Sequence, residues 1–215
     1  MKTGPASHSQ RRGLSLIEVA LIAVIVTILS LAILPALYAL RTRASPMSCA
    51  NHLKSVSLAF RLYATDHGDR FPAVSTNGWQ TIAGGEREFL GRWRLLSNDL
   101  GSPKLLVCPS DRRSPAPNFS ALAASNVSYF LNADGRGQAA IVLLGDRHLA
   151  IAGQPVPPGV LTLNLNLNLG WTPELHLGRG HLSFGDGSVQ AFAVSPELTE
   201  ALRPAIREAH RLFVP

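Results

Sequence analysis

The longest apolar pattern lies near the start of the chain, where no charged side chain occurs from Val19 to Leu40. A helix needs roughly 20 such residues, at about 1.5 Å of rise each, to cross a hydrocarbon core. Arginines flank the run on both sides: Arg11, Arg12, Arg41 and Arg43. We therefore predict one membrane-spanning helix with a cytoplasmic N-terminus. A secretory signal peptide fits less well, because the run is too long and a carboxylate, Glu18, begins it.

A second helical pattern follows the apolar run. Ser45-Pro46 predicts an interruption, since proline lacks an N–H and disfavours helix at the residue before it. From Met47 to about Thr65, apolar residues recur at three- and four-residue steps, which predicts an amphipathic helix. We expect the two segments to form one long kinked helix whose second half packs on a globular head.

Shorter patterns predict the head. Strands are expected at residues 105–107, 127–132, 139–144, 160–169, 181–184 and 189–192. The last two flank an Asp-Gly turn, a strong signal for a hairpin. Ser195-Pro196-Glu197 predicts the start of a helix, which Pro204 is expected to split. The pattern as a whole predicts an α+β fold with a small antiparallel sheet.

The charge balance is basic, with a formal net charge of +6 over 215 residues. Half of that excess lies in residues 1–13, where it favours a cytoplasmic leader. No lysine- or arginine-rich stripe with interleaved aromatic residues occurs later in the sequence, so nucleic-acid binding is not expected. The two cysteines, Cys49 and Cys108, are either a disulfide or two separate buried thiols.

The segment Gly13-Leu14-Ser15-Leu16-Ile17-Glu18 resembles the class III signal of type IV pilins and type II secretion pseudopilins. The resemblance implies cleavage between Gly13 and Leu14 by a prepilin peptidase, followed by N-methylation of Leu14. It also implies that Glu18 supports assembly and that Pro35 kinks the helix. The expected partners are the peptidase, the membrane and other pilin or pseudopilin subunits.

The chemistry of such a signal is coherent. If Leu14 becomes the N-terminus, its amine lies about four residues, or roughly 6 Å of helix, from Glu18. In a bundle of these helices the carboxylate of one chain can pair with the amine of a neighbour, and a buried pair of this kind can fix the register between helices.

A second resemblance covers the head. His176, nine further residues and then Asp186-Gly187 resemble the H-x9-DG domain that follows prepilin-type N-termini in pilin-like proteins. Four other segments fall in the same order as in that family: residues 49–55, 66–72, 108–111 and 128–129. A metal or acid–base site at His176, His181 and Asp186 is conceivable, but a structural turn accounts for these residues. We expect no metal, no cofactor and no catalytic residue.

These observations predict three parts: a cleaved leader at 1–13, a transmembrane assembly helix at 14–44 and an extracytoplasmic pilin-like head at 45–215. The expected protein is a structural pseudopilin or minor-pilin-like subunit, not an enzyme, in the inner membrane with a periplasmic head. It would serve a type II secretion or type IV pilus-like system. The alternatives are a membrane-tethered extracytoplasmic binding protein that does not polymerise, or an enzyme that uses His176.

Overall fold

The computed structural model describes residues 16–72, 82–134, 138–164, 166–193, 195–208 and 210–215; within these ranges, residues 32, 34–46, 82–84 and 195 are described by their backbone alone. The chain divides into two units, Met1–Ala44 and Ser45–Pro215. The helices are α1 (Leu16–Asp66), α2 (Ile82–Leu95), α3 (Ser97–Leu100) and α4 (Ser195–Arg207). The strands are β1 (Tyr129–Asn132), β2 (Val142–Asp146), β3 (Leu149–Ile151), β4 (Gln154–Pro155), β5 (Gly159–Thr162), β6 (Leu169–Trp171), β7 (Gly180–Phe184), β8 (Val189–Phe192) and β9 (Arg211–Val214).

The first unit contains the start of α1. Within the described residues, no helix combines the length and the apolar character that crossing a membrane requires. Residues 16–31, where the side chains of α1 are described without a gap, are all exposed.

This finding overturns three predictions made from the apolar run. The prediction that the fold is defined by a long kinked helix with a transmembrane first half is wrong. The single-pass membrane topology and the inner-membrane location with a periplasmic head are wrong for the same reason. The helix also continues through Ser45 and Pro46, where a break was expected. The α+β class with antiparallel sheets is what the structure has.

The second unit is built around a six-stranded antiparallel sheet with the order β5-β9-β1-β2-β7-β8. On one face, the later part of α1 and helix α2 pack through Leu53, Phe60 and Trp93, all of them fully or almost fully buried. Phe60 and Trp93 meet edge to face, with ring centroids 5.6 Å apart. The amphipathic stripe of α1 is therefore part of the core.

The other face of the sheet is also covered. Helix α4 contributes Leu198 and Leu202 to a second core cluster, together with Leu149 of the small sheet β4-β3-β6. In β1, Tyr129 belongs to the first cluster and Phe130 to the second, because successive side chains of a strand point to opposite faces. The central strands are thus buried on both sides.

Several predicted elements differ from those observed. The strand expected at residues 160–169 ends at Thr162, because Asn164 forms a turn in which its side-chain oxygen accepts the N–H of Asn166 at 3.0 Å. Residues Pro103–Leu106 form a 3-10 helix, where a strand was expected to begin. Helix α4 continues through Pro204, since its buried side chains hold both halves in the core. The chain then returns to the sheet as β9, between β5 and β1, where a second short helix was expected.

Candidate functional site

The residues of the predicted processing signal lie at or beyond the edge of the described chain. Gly13 and Leu14 are outside the described residues. Glu18 lies exposed in the first turn of α1, where a negative charge is favourable next to the positive end of the helix dipole. Pro35 lies within α1, in the part described by its backbone alone.

Cys49 and Cys108 form a disulfide, with their Cα atoms 4.8 Å apart and a sequence separation of 59. Of the two alternatives left open by the sequence, this is the one that the structure contains. Both residues are fully buried. In the chain-entropy treatment, closing a loop of this length stabilises the fold by about 4 kcal/mol. The bond joins α1 to the loop that follows the first 3-10 helix.

The Asp-Gly motif forms a turn, residues 185–188, between β7 and β8, which we call the DG turn. Asp186 accepts a hydrogen bond from the backbone N–H of Ser188 at 2.7 Å, and hydrogen bonding to Ser188 lowers the pKa of Asp186. Gly187 has a φ of +83°, a conformation that favours glycine. Its carbonyl oxygen accepts a hydrogen bond from Lys54 of α1 at 2.5 Å. The motif therefore shapes the hairpin and docks it on α1.

The structure does not pair His176 with Asp186, since the Asp186 side chain is exposed and serves the DG turn. The carboxylate beside His176 belongs to Asp146, at the end of β2. Its Oδ2 atom lies 3.8 Å from Nε2 of His176 and 2.9 Å from Nδ1 of His181. The backbone N–H of His181 also donates to Oδ2, at 2.8 Å. Two of the three sequence candidates, His176 and His181, thus come together around a third residue.

Asp146, His148, His176 and His181 form one group, which we call the histidine cluster. His176 and His181 meet edge to face, with ring centroids 5.1 Å apart, and His148 lies 6.1 Å from His176. Asp146 is fully buried, and its Oδ1 atom has no hydrogen-bond partner among the described residues. A buried carboxylate oxygen without a partner is costly, so the cluster contains an unsatisfied acceptor.

His148 is fixed in one orientation. Its Nε2 atom donates to the carbonyl oxygen of Arg179 at 2.9 Å, and its ring lies 5.0 Å from that of Trp171. Nδ1 is buried and has no partner in the described part of the chain. Burial lowers the pKa of both His148 and His176, and the charge of Asp146 only partly opposes this change. Both rings are therefore largely neutral near pH 7.

The backbone at His176 is unusual. His176 and Leu177 have φ values of +50° and +55°, in the left-handed region that side chains other than glycine rarely adopt. This conformation costs of order 1 kcal/mol or more per residue, so the surrounding structure must hold it. The His176 side chain is 2% exposed, whereas Leu177 is 92% exposed. The turn thus directs the histidine inward.

An ionic clamp holds the segments around the cluster. The Arg147 guanidinium donates two hydrogen bonds to the Asp111 carboxylate, at 2.8 and 3.1 Å, and a third to Glu174 at 2.7 Å. Burial alone would raise the pKa of Asp111, but hydrogen bonds from Arg147 and Ser128 outweigh burial and lower it. The clamp connects the segment of Cys108 with those of Asp146 and His176.

Among the residues that the structure describes, two groups of side chains have donor atoms close enough to hold a metal ion. One consists of Asp146, His176 and His181, and the other of Cys49, Cys108 and His176. In the second group both sulfur atoms belong to the disulfide. His176 is common to both, and its Nε2 atom lies 3.4 Å from Sγ of Cys108. With the disulfide closed, the first group is the one with free ligand atoms.

Sequence reasoning missed the central residue of this cluster. The strand expected at residues 139–144 stops before Gly145 and Asp146, whereas these two residues end β2 in the middle of the sheet. A usable signal was present: a lone carboxylate follows the apolar run 141–144, with a histidine two residues later. An acid at the end of a buried strand is a functional signal, because it must be paired when buried.

The fold and the site define a class: an α+β domain with a central antiparallel sheet, a disulfide to its first helix and a buried histidine–aspartate cluster. Comparisons of the chain with models of known families, with curated proteins and with solved structures found no match. The function must therefore be argued from the described residues and from the N-terminal signal.

Proposed function

We propose that the chain is a structural, pilin-like assembly subunit, processed after Gly13 by a prepilin peptidase and methylated on Leu14. Its N-terminal helical segment, residues 16–31, packs against the same segment of other subunits. The observation that carries the proposal is the exposure of apolar side chains along this segment of α1. The assembly is of the type II secretion or type IV pilus-like kind.

The apolar segment favours association. Leu16 and Leu31, at its two ends, are 92% and 71% exposed. The large apolar side chains between them are roughly half exposed or more: Ile17, Val19, Leu21, Ile22, Val24, Ile25, Val26, Ile28 and Leu29. A helix that is apolar on all sides is normally buried, and burying one such side chain completely contributes about 1.5–3 kcal/mol. Contact with several neighbouring subunits would bury all faces of the segment.

Glu18 gives specificity to the proposed contact between the apolar segments of neighbouring subunits, which by itself has no preferred direction. Residues 16–31 contain no other charged side chain. After cleavage, the new amine of Leu14 lies roughly 6 Å away along the helix. A carboxylate that becomes buried in an assembly is destabilising unless it is paired, so only the register that brings Glu18 to an amine is favoured.

The later part of α1 connects this assembly segment to the second unit. The disulfide at Cys49 and the hydrogen bond from Lys54 to the DG turn attach the helix to the sheet. A non-catalytic role fits these features, since the H-x9-DG residues Asp186 and Gly187 make structural contacts.

The processing step is tested by intact-mass analysis of the protein isolated from its host, beside a Gly13→Ala variant. We expect a chain that starts at Leu14 and carries one added methyl group, and we expect the variant to keep its leader. An uncut wild-type chain, or a cut at another position, would contradict the proposal.

The assembly step is tested by placing a photo-crosslinking amino acid at Ile25, in the exposed apolar segment. We expect covalent dimers and higher species in the host, and their loss when Glu18→Ala is combined with the probe. Leu177 provides the control, because it is also a large apolar residue and is more exposed, at 92% against 48% for Ile25, but lies in the second unit. Processed protein that forms no adduct through Ile25 would favour a monomeric binding protein instead.

A further inference from the structure

We propose that Asp146, His176 and His181 form a binding site for one divalent transition-metal ion, with Zn²⁺ as the best fit. This site belongs to the second unit and does not depend on the proposed assembly. Two imidazole nitrogens and one carboxylate oxygen are a ligand set that Zn²⁺ uses in proteins, with a fourth position left for water. Imidazole also suits Cu²⁺, Ni²⁺ and Fe²⁺, whereas an all-oxygen set would favour Mg²⁺ or Ca²⁺.

The distances fit a tetrahedral ion. Ligand bonds of about 2.0–2.2 Å place neighbouring ligand atoms roughly 3.3 Å apart. Oδ2 of Asp146 lies 2.9 Å from Nδ1 of His181 and 3.8 Å from Nε2 of His176. All three ligand atoms lie within 4.8 Å of one another. The two distances to Asp146 are thus within about 0.5 Å of the tetrahedral value, and the distance between the two histidine nitrogens is at most 4.8 Å.

A hydrogen-bonded cluster without a metal leaves two groups poorly satisfied. Oδ1 of Asp146 is buried and has no partner among the described residues. The 3.8 Å from His176 Nε2 to Asp146 Oδ2 is too long for a hydrogen bond. The other contact of that nitrogen is the disulfide sulfur at 3.4 Å, a weak acceptor. A cation bound to Oδ2 of Asp146 would give Nε2 of His176 a strong partner in place of the disulfide sulfur, and it would balance the negative charge of the buried carboxylate.

The neighbouring contacts already orient the ligands. The backbone N–H of His181 holds Oδ2 of Asp146 at 2.8 Å, and such outer contacts fix ligating carboxylates. Tyr129 is opposite Asp146 in the β1–β2 register and is fully buried, so solvent is kept from that side. His176 lies in a turn next to the exposed Leu177, which provides the shortest route for an ion to enter.

The experiment uses the purified full-length protein, stripped with a chelator and then titrated with Zn²⁺ in a calorimeter and with Co²⁺ in an absorption spectrometer. We expect one ion per chain, visible Co²⁺ absorption bands typical of a four-coordinate site, and a higher melting temperature with Zn²⁺. His176→Ala and Asp146→Asn should each weaken Zn²⁺ binding at least 100-fold, since losing an outer contact alone typically costs 10–100-fold.

His67→Ala is the matched control, because His67 is exposed and stacks on Tyr63 away from the cluster. Binding that is lost in this control and kept in His176→Ala would place the ion at the surface and overturn the proposal. Wild-type protein that binds no Zn²⁺ at micromolar concentrations would overturn it as well. If Asp146→Asn fails to fold, His176→Gln decides the question, since its side chain comes from a surface turn.

Discussion

Gly145 is the position where adding a single methyl group should most disturb the site. It lies in β2 beside Asp146, opposite Phe130 of β1 and Leu182 of β7. A Cβ atom at Gly145 would lie 2.5 Å from two ring carbons of Phe130 and 2.7 Å from a methyl carbon of Leu182. Both neighbours are fully buried, so neither has free space to move into.

We expect Gly145→Ala to reduce the free energy of unfolding by about 3 kcal/mol, the upper part of the range for overpacked cores. For a unit of this size, about 2–4 °C of melting temperature is lost per kcal/mol, which gives a decrease of roughly 6–12 °C. The matched control is Gly170→Ala in β6, where nothing lies within 4 Å of the added Cβ. That variant should be neutral, or stabilised by up to about 1 kcal/mol through the unfolded chain.

Thermal unfolding followed by circular dichroism compares the two variants with the wild type. Equal melting temperatures for Gly145→Ala and Gly170→Ala would refute the steric argument. A second test is Phe130→Leu in the Gly145→Ala background, which removes the crowded ring. The double variant should be more stable than the sum of the two single losses predicts, because the residues are in direct contact.

Two further predictions concern the disulfide and the clamp. Replacing both bridge cysteines with alanine should lower the free energy of unfolding by about 4 kcal/mol in urea titrations, and a loss below 1 kcal/mol would contradict the loop-closure estimate. Asp111→Asn should cost about 3 kcal/mol at neutral pH, because it removes the buried carboxylate of the pair and leaves Arg147 with the exposed Glu174 as its acidic partner. Since the pKa of Asp111 is lowered in the folded state, its contribution is present above pH 4 and is lost as the pH falls through the folded pKa. The difference between wild type and variant should therefore shrink in unfolding curves taken at pH 3, and a constant difference would argue against an ionic clamp.

The features that the sequence predicted correctly are local. The helical stripe that contains Leu53 and Phe60 follows from apolar spacing within a few turns, and the β7–β8 hairpin follows from its Asp-Gly turn. The strand expected at residues 160–169 failed because the side chain of Asn164 competes for a backbone N–H, which a count of alternating residues does not detect.

The features that the sequence did not predict depend on contacts between distant segments. Asp146 and His181 are 35 residues apart, and neither has a neighbour in the sequence that indicates the other. Residues 211–214 form strand β9 because they pair with β5 on one side and β1 on the other, although the residues before them are helical. The membrane span was predicted from an uncharged run and its flanking arginines, and no helix of the described residues meets the requirements for such a span.

The position of the disulfide also has a mechanical consequence. Cys49 lies four residues after Ser45, where the second unit begins, and before the buried stripe that starts at Leu53. Tension applied along α1 from its N-terminal side therefore acts on the disulfide before it acts on the buried stripe that starts at Leu53. The load passes to Cys108 and to the segment that Arg147 fastens to the sheet. With the disulfide intact, this attachment of α1 yields only when a covalent bond breaks. Once the disulfide is reduced, the same tension can separate α1 from the rest of the unit one residue at a time.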